Sequence, residues 1–169
     1  MIRLVKPTIK YKQSFINGIK EFQREEKTSK ENIKKLEQDF SGFVKQMRNY
    51  EKGKNLPKRR VASTYLWLTD GKQWIGETNI RHKLNRALKK DGGHIGYGIR
   101  PSKRKKGYGV KILALALRKA QRLGIKKALV TCDDDNIGSR KIIESNGGIL
   151  QNKIKYKGKV IYRYWIKIF

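Results

Sequence analysis

The sequence predicts a mixed α/β domain, an α+β arrangement of one mixed sheet with helices on its faces. Three observations carry this reading. Apolar residues recur at helical spacing as far as Met47; the pattern changes to β-branched and aromatic runs from Val61; strand-like and helix-like segments then alternate after Gly93. At 169 residues with a hydrophobic fraction of 37%, the chain suits a single domain over residues 1–169 with one core.

The elements follow in order. "IRLVKP" (2–7) reads as a short strand closed by Pro7. Tyr11, Phe15, Ile19 and Phe22 mark one helix; Ile33, Leu36, Phe40, Phe43, Val44 and Met47 mark a second. "EKGKNLPKRR" (51–60) is a polar loop broken by Gly53 and Pro57. "VASTYLWLT" and "WIGETNIRH", joined by "DGK" at 70–72, read as a hairpin. After a short helical "LNRALKK" comes the strand "HIGYGIRP", which stops at Pro101. A helix from Tyr108 to Leu123 is closed by Gly124. "KALVTC" is near-continuously apolar, as befits a strand buried on both faces. "NIGSRKIIESN" is a helix closed by Gly147-Gly148, and "GILQNKIKY" and "VIYRYWIKIF" end the chain as strands. The order is β-α-α-β-β-β-α-β-α-β-β, and residues 94–131 are expected to form a right-handed parallel crossover. Ligands in such sheets lie at the carboxyl ends of strands, beside helix N-termini.

Composition narrows the function. The longest clean apolar run, "ILALAL", is far too short to cross a bilayer, so no membrane partner is expected. "MIRLVKPTIKYK" has no apolar signal segment, and the expected location is cytoplasmic. One cysteine and two histidines argue against a structural metal site. Forty-two Lys and Arg against 14 acids give a formal net charge of +28. That balance admits nucleic acid or the ribosome as a partner. The lysines are spread along the chain, however, and compositional bias accounts for them equally well; no zinc-finger, RNP or helix-turn-helix signature is present.

The most informative stretch is "RPSKRKKGYGVKILALAL" (100–117). Arg100, Lys103, Arg104, Lys105 and Lys106 precede Gly107-Tyr108-Gly109, and a helix follows at once. Glycines let backbone turn tightly and approach a ligand. The helix start offers unpaired N–H groups and partial positive charge. Together they suit a phosphate or pyrophosphate. A Walker loop does not fit, and Ile112 stands where a Rossmann loop needs its third glycine.

Arg104-x-x-Gly107-x-Gly109 resembles the acyl-CoA signature of the GCN5-related N-acetyltransferase (GNAT) superfamily. The element order and the segment from Asn136 to Gly147-Gly148 are similar to that superfamily as well, and "IRHKLN" with "GGHIGYGIRPSKRKKGYG" resembles a bacterial branch of predicted acetyltransferases of unknown acceptor. The resemblance implies two splayed central parallel strands with acetyl-CoA between them, and an amine as acceptor. It implies backbone contacts from Gly98 and Ile99 to the pantetheine arm, and one N–H there serving as oxyanion donor. The backbone from Arg104 through Lys105, Lys106, Gly107 and Tyr108 to Gly109 would wrap the pyrophosphate. Asn136 would meet the pantetheine arm, a role compatible with capping its helix.

The family's usual proton-donating Tyr, seven residues after that Asn, is replaced by Ile143. Tyr97 and Tyr108 are the hydroxyl candidates, against roles in packing. A primary amine must lose a proton before it attacks, and Glu77, His82 and His94 are candidate bases, with a water relay as a further alternative. Strand parity sets Glu77 and His82 on opposite faces. Cys132 reads as a small core residue rather than a nucleophile. Asp133, Asp134 and Asp135 read as a helix-start acidic run or as a receiver for a cationic acceptor. The chain is expected to act as a monomer or homodimer.

Overall fold

The structure, a computed structural model, describes residues 1–25 and 29–169. Strand β1 (Arg3–Val5) leads into helix α1 (Lys12–Glu25). The second helical stripe is not one helix. It breaks at Asp39 into α2 (Ile33–Gln38) and α3 (Phe40–Glu51), because the Asp39 carboxylate accepts the Gly42 N–H at 2.8 Å and caps a new start. Strands β2 (Ser63–Thr69) and β3 (Trp74–Arg81), the short α4 (Arg86–Lys90) and β4 (Ile95–Ile99) follow. Then come α5 (Tyr108–Arg122), β5 (Lys127–Asp133), α6 (Ile137–Ser145), β6 (Ile149–Tyr156) and β7 (Lys159–Lys167). No described helix is long and apolar enough to cross a membrane.

The expected single mixed sheet is two sheets, of order β1-β2-β3-β4 and β5-β7-β6, with every ladder antiparallel. β4 and β5 touch where the His94 N–H donates to the Leu129 carbonyl at 2.7 Å. Beyond that point they form no ladder. The carboxyl ends of both open onto one cavity, so the strands run in the same sense but apart.

Alternation on the first sheet fixes which side faces what. Trp67 and Trp74 point toward α1 and α3, in a cluster with Phe15, Ile16 and Phe40; the Phe15 and Trp67 rings stack at 4.8 Å. Leu66 and Ile80 point the other way and pack with Leu113, Ala116 and Ala120 of α5, a cluster that continues into Ala128, Val130 and Tyr164 of the second sheet. Two alanines let α5 approach both sheets closely, while each fully buried Ile or Leu contributes about 1.5–3 kcal/mol. Helix α5 thus becomes a fixed wedge behind the gap, with its N-terminus at the gap's mouth.

Candidate functional site: two cavities that meet at Tyr97

The basic loop is built by backbone geometry. Pro101 ends β4, and Lys105 (φ 58°) and Gly107 (φ 74°) turn left-handed before α5 begins. Gly107 is the N-cap of α5, and no side chain caps that helix. The Lys111 N–H donates to Gly107 O at 3.2 Å, so the N–H groups of Tyr108, Gly109 and Val110 precede the first helical bond. A Cβ on Gly109 would press on the tip of the Ile142 side chain, so this glycine eases the close approach of α5 and α6. A Cβ on Gly107 would meet nothing within 4 Å; here the backbone conformation and open space select glycine.

Two expectations for this loop need correction. Arg100 does not belong to the anion site. Its guanidinium pairs with Glu21 of α1 at 2.6 Å, with both side chains largely buried, and Glu21 also accepts the Ser102 N–H at 3.1 Å. Burial raises the Glu21 pKa, but the hydrogen bonds from Arg100 and Ser102 outweigh it and hold the carboxyl below its ordinary value. The Arg104 N–H is also committed, to Pro101 O at 3.1 Å. Its side chain is turned back, with Nε on Ile99 O at 3.1 Å and the guanidinium 5.6 Å from the Phe22 ring centroid. The cradle is therefore Lys105 to Val110, with Arg104 as its brace.

The β3–β4 register defines the edge presented to the gap. Arg81 N–H donates to His94 O and Arg100 N–H to Ile75 O. Antiparallel pairs alternate, so Gly96 and Gly98 turn their backbone groups toward β3. Tyr97 and Ile99 turn theirs toward the gap. The N–H available there is that of Ile99, not Gly98. What Gly98 contributes is a missing side chain, since a Cβ would only come into ordinary contact with Phe22 at 3.7 Å.

On the gap side a cavity of about 850 Å³ is lined by Tyr97, Gly98, Ile99, Arg104, Lys105, the backbone turn from Gly107 to Val110, and Asp135, Asn136, Gly138, Ser139 and Ile142, while Lys106 lies outside this lining. Asn136 caps α6, its Oδ1 accepting the Ser139 N–H at 2.9 Å. Ser139 is a site residue that the sequence alone does not single out. Its Oγ lies 2.8 Å from Tyr97 Oη. The signal was the Asn-x-x-Ser spacing, which sets both polar groups on the first turn of α6. Burial pushes the Tyr97 phenol up to about 12, with the Ser139 bond opposing, so Tyr97 stays protonated. Ile143 is fully buried in the core beneath. Tyr108 lines the same cavity from the loop side. Cys132 is buried, and its thiol is pushed up to about 11, mainly by burial, which removes it as a nucleophile. Asp133 pairs with Lys159 at 2.5 Å, and Asp135 sits on this cavity's rim, so the acidic run does not face the second cavity.

That second cavity, of about 660 Å³, lies between the first sheet and helices α1 and α3. Glu77, Asn79 and Arg81 reach it from alternate positions of β3, as do Gly96 and Gly98 of β4. The two cavities share Phe22, Tyr97 and Gly98, which mark their junction. Glu77 Oε2 is shielded from solvent and has no hydrogen-bond partner among the described residues. Burial, then the Glu31 charge, raises the Glu77 carboxyl to about 7; the Trp67 indole across the ladder tempers the shift without a full hydrogen bond.

The histidines lie elsewhere. His82 Nε2 is 2.8 Å from Thr64 Oγ1, on the α5 side of the sheet, as parity required. His94 Nδ1 accepts the Leu129 N–H at 2.9 Å. Burial, then the Arg81 charge, keeps its imidazole below the usual pKa. It joins the sheets where β4 and β5 touch and lines neither cavity. Of the four catalytic candidates, only Glu77 and Tyr97 line these cavities, Glu77 the second and Tyr97 both, with their side chains on opposite faces of the first sheet.

The site thus combines a helix start without a side-chain cap, a left-handed basic turn and a gap between strands that part. Residues 17–149 match the family model for the acetyltransferase (GNAT) domain, and the chain belongs to that family. No significant match is found among curated proteins. Many solved structures share the fold, three of them as follows. The microcin C7 self-immunity acetyltransferase MccE, in complex with acetyl-CoA and AMP, superposes with a TM-score of 0.73 at 18% identity, covering 99% of this chain and 92% of that one. RimL, a ribosomal L7/L12 alpha-N-protein acetyltransferase in complex with coenzyme A, gives 0.71 at 14% identity, covering 99% and 94%. RimJ of Mycobacterium smegmatis gives 0.74 at 13% identity, covering 98% and 81%.

Proposed function

We propose that the protein is an acetyl-CoA-dependent N-acetyltransferase that transfers an acetyl group to a primary amine by direct attack. One observation carries this reading: a cationic helix-start cavity and a carboxylate-bearing cavity share a wall at Tyr97, Gly98 and Phe22. The residues present fit the cofactor. The uncapped N-terminus of α5 and the left-handed Gly107 turn offer N–H groups to a pyrophosphate, and Lys105 stands at the loop beside them. When bound, acetyl-CoA supplies a thioester, an activated acyl donor.

The chain's own residues supply the rest. The Ile99 N–H faces the gap and is placed to donate to a developing oxyanion. Glu77 accepts a proton from the entering ammonium, since its raised pKa makes it an effective base near neutrality. The hydrogen-bonded hydroxyls of Tyr97 and Ser139 stand on the gap side, where one of them can give its proton to a leaving sulfur, a role that Ile143 cannot serve. Asn136 keeps Ser139 in register through its cap.

The test is thiol release from acetyl-CoA against a panel of amines and peptides, with Gly107→Glu alongside. Thermal shift with acetyl-CoA should raise the melting temperature of the native chain. Gly107→Glu places a carboxylate in the cradle and should abolish both signals. Full activity in that variant would remove the loop from the reading.

A further inference from the structure

The acceptor-side cavity is electrically polarised, in a way the transfer reaction alone does not require. At one end stand Glu77 and, felt by it, Glu31. At the other end stand Arg81, Arg60 and Arg59, with Asn79 between Glu77 and Arg81 on the same strand face. Four residue steps of β strand set the Cα atoms of Glu77 and Arg81 about 13 Å apart, the upper limit for the reach between the two ends.

The basic end makes no ion pair among the described residues. Arg81 is largely buried, and its Nη1 donates only to the carbonyls of Gly92 and Gly93, at 2.6 and 3.1 Å. None of the ion pairs among the described residues involves Arg59, Arg60 or Arg81. Burial lowers the Arg81 pKa, the Arg60 charge lowers it further, and Tyr65 and Asp91 oppose; Glu31 is not among the charges it feels. Arg60 Nη1 touches the Tyr65 hydroxyl at 3.4 Å, and Lys30 is the one other cation on the wall. A guanidinium cluster with one partly desolvated member and no ion pair among the described residues is a site for an anion.

We infer that the acceptor is an extended amine with a terminal anionic group, carboxylate or phosphate, whose nitrogen lies at Glu77 and whose anion lies between Arg60 and Arg81. This rests on the proposed transfer reaction. The matching length is that of a tetrapeptide, since an extended chain covers about 3.3–3.6 Å per residue. A polycationic amine would place its second charge against the arginines.

Calorimetric titration without turnover tests this at about 50 mM salt, where exposed charges are only partly screened. The probes are tetra-alanine with a free carboxylate, the same peptide amidated, an amidated form ending in phosphoserine, and one ending in lysine amide. The carboxylate or the phosphoserine peptide should bind about tenfold or more tighter than the amide, and which of the two does so identifies the anion. The lysine amide should bind weakest. The gap should shrink several-fold in Arg60→Gln, an exposed position that leaves the fold intact, and in Arg81→Gln. Equal affinities, a preference for the amide or lysine peptide, no binding at millimolar peptide, or a gap unchanged in both variants would overturn the inference. A missing acetyl-CoA melting shift on the same sample would count against the transfer reaction alone.

Discussion

Replacing Glu77 by Gln should make the protein more stable and much less active, with the stability gain depending on pH. In the folded state the Glu77 carboxyl is raised from 4.5 to about 7, chiefly by burial. The ionised form is therefore penalised on folding. The penalty is absent below the ordinary carboxylate pKa, grows as pH rises from 4.5 to about 7, and is constant above that. At about 1.4 kcal/mol per pKa unit, the plateau is about 3 kcal/mol. Gln fills nearly the same volume and carries no charge, so it avoids this term. Melting curves of the two proteins should coincide near pH 4.5 and separate by about 6–12 °C above pH 8, given roughly 2–4 °C per kcal/mol for a chain of this size. Thiol release should show the opposite trend. Native kcat should rise through a single ionisation near 7, while Glu77→Gln should lose about 100-fold or more of it and show a flattened profile. A melting difference that does not vary with pH, or native protein that gains on the variant at alkaline pH, would refute the placement of Glu77 as a buried, unpartnered base. Stability given up at a residue for the sake of its chemistry is the expected signature of a functional carboxylate.

Three further outcomes follow from the same geometry. Tyr97→Phe and Ser139→Ala should each lower kcat by roughly 10–100-fold with little change in the acetyl-CoA KM, and the double variant should be little worse than either single one, because one hydroxyl pair is broken in each case. Arg100→Met should destabilise the chain by about 3–5 kcal/mol in urea denaturation, since it strands the buried Glu21. Because the Glu21 pKa is lowered in the fold, its contribution is present above the ordinary carboxylate pKa and is lost as pH falls through the lowered one, so the variant's deficit should shrink in acid. His94→Ala should lower the melting temperature while the pH profile of kcat keeps its shape, since His94 joins two strands and titrates nowhere near the junction.

Local chemistry made the geometry of the basic loop legible from the chain. Gly107 and Gly109 stand at the start of an apolar helical stripe, Pro101 ends the strand before them, and an anion cradle needs little more than that run of backbone. The Asn136 cap was readable for the same reason. Parity along β3 separated Glu77 from His82 without any coordinates. Tertiary packing decided the rest. Which face of β3 is hollow depends on α1 and α3 closing one side while α5 fills the other, and that choice brings Glu77 to the junction and sends His82 to Thr64. Arg100 lies beside the loop lysines in the sequence but pairs with Glu21, 79 residues earlier, because α1 crosses the end of β4. Tyr97 and Ser139 stand 42 positions apart and meet only because the strands part beyond His94 and admit the ring. Short-range backbone geometry is written in neighbouring residues. The pairing of charges and hydroxyls across a cleft depends on how separate layers dock, and only the fold supplies that.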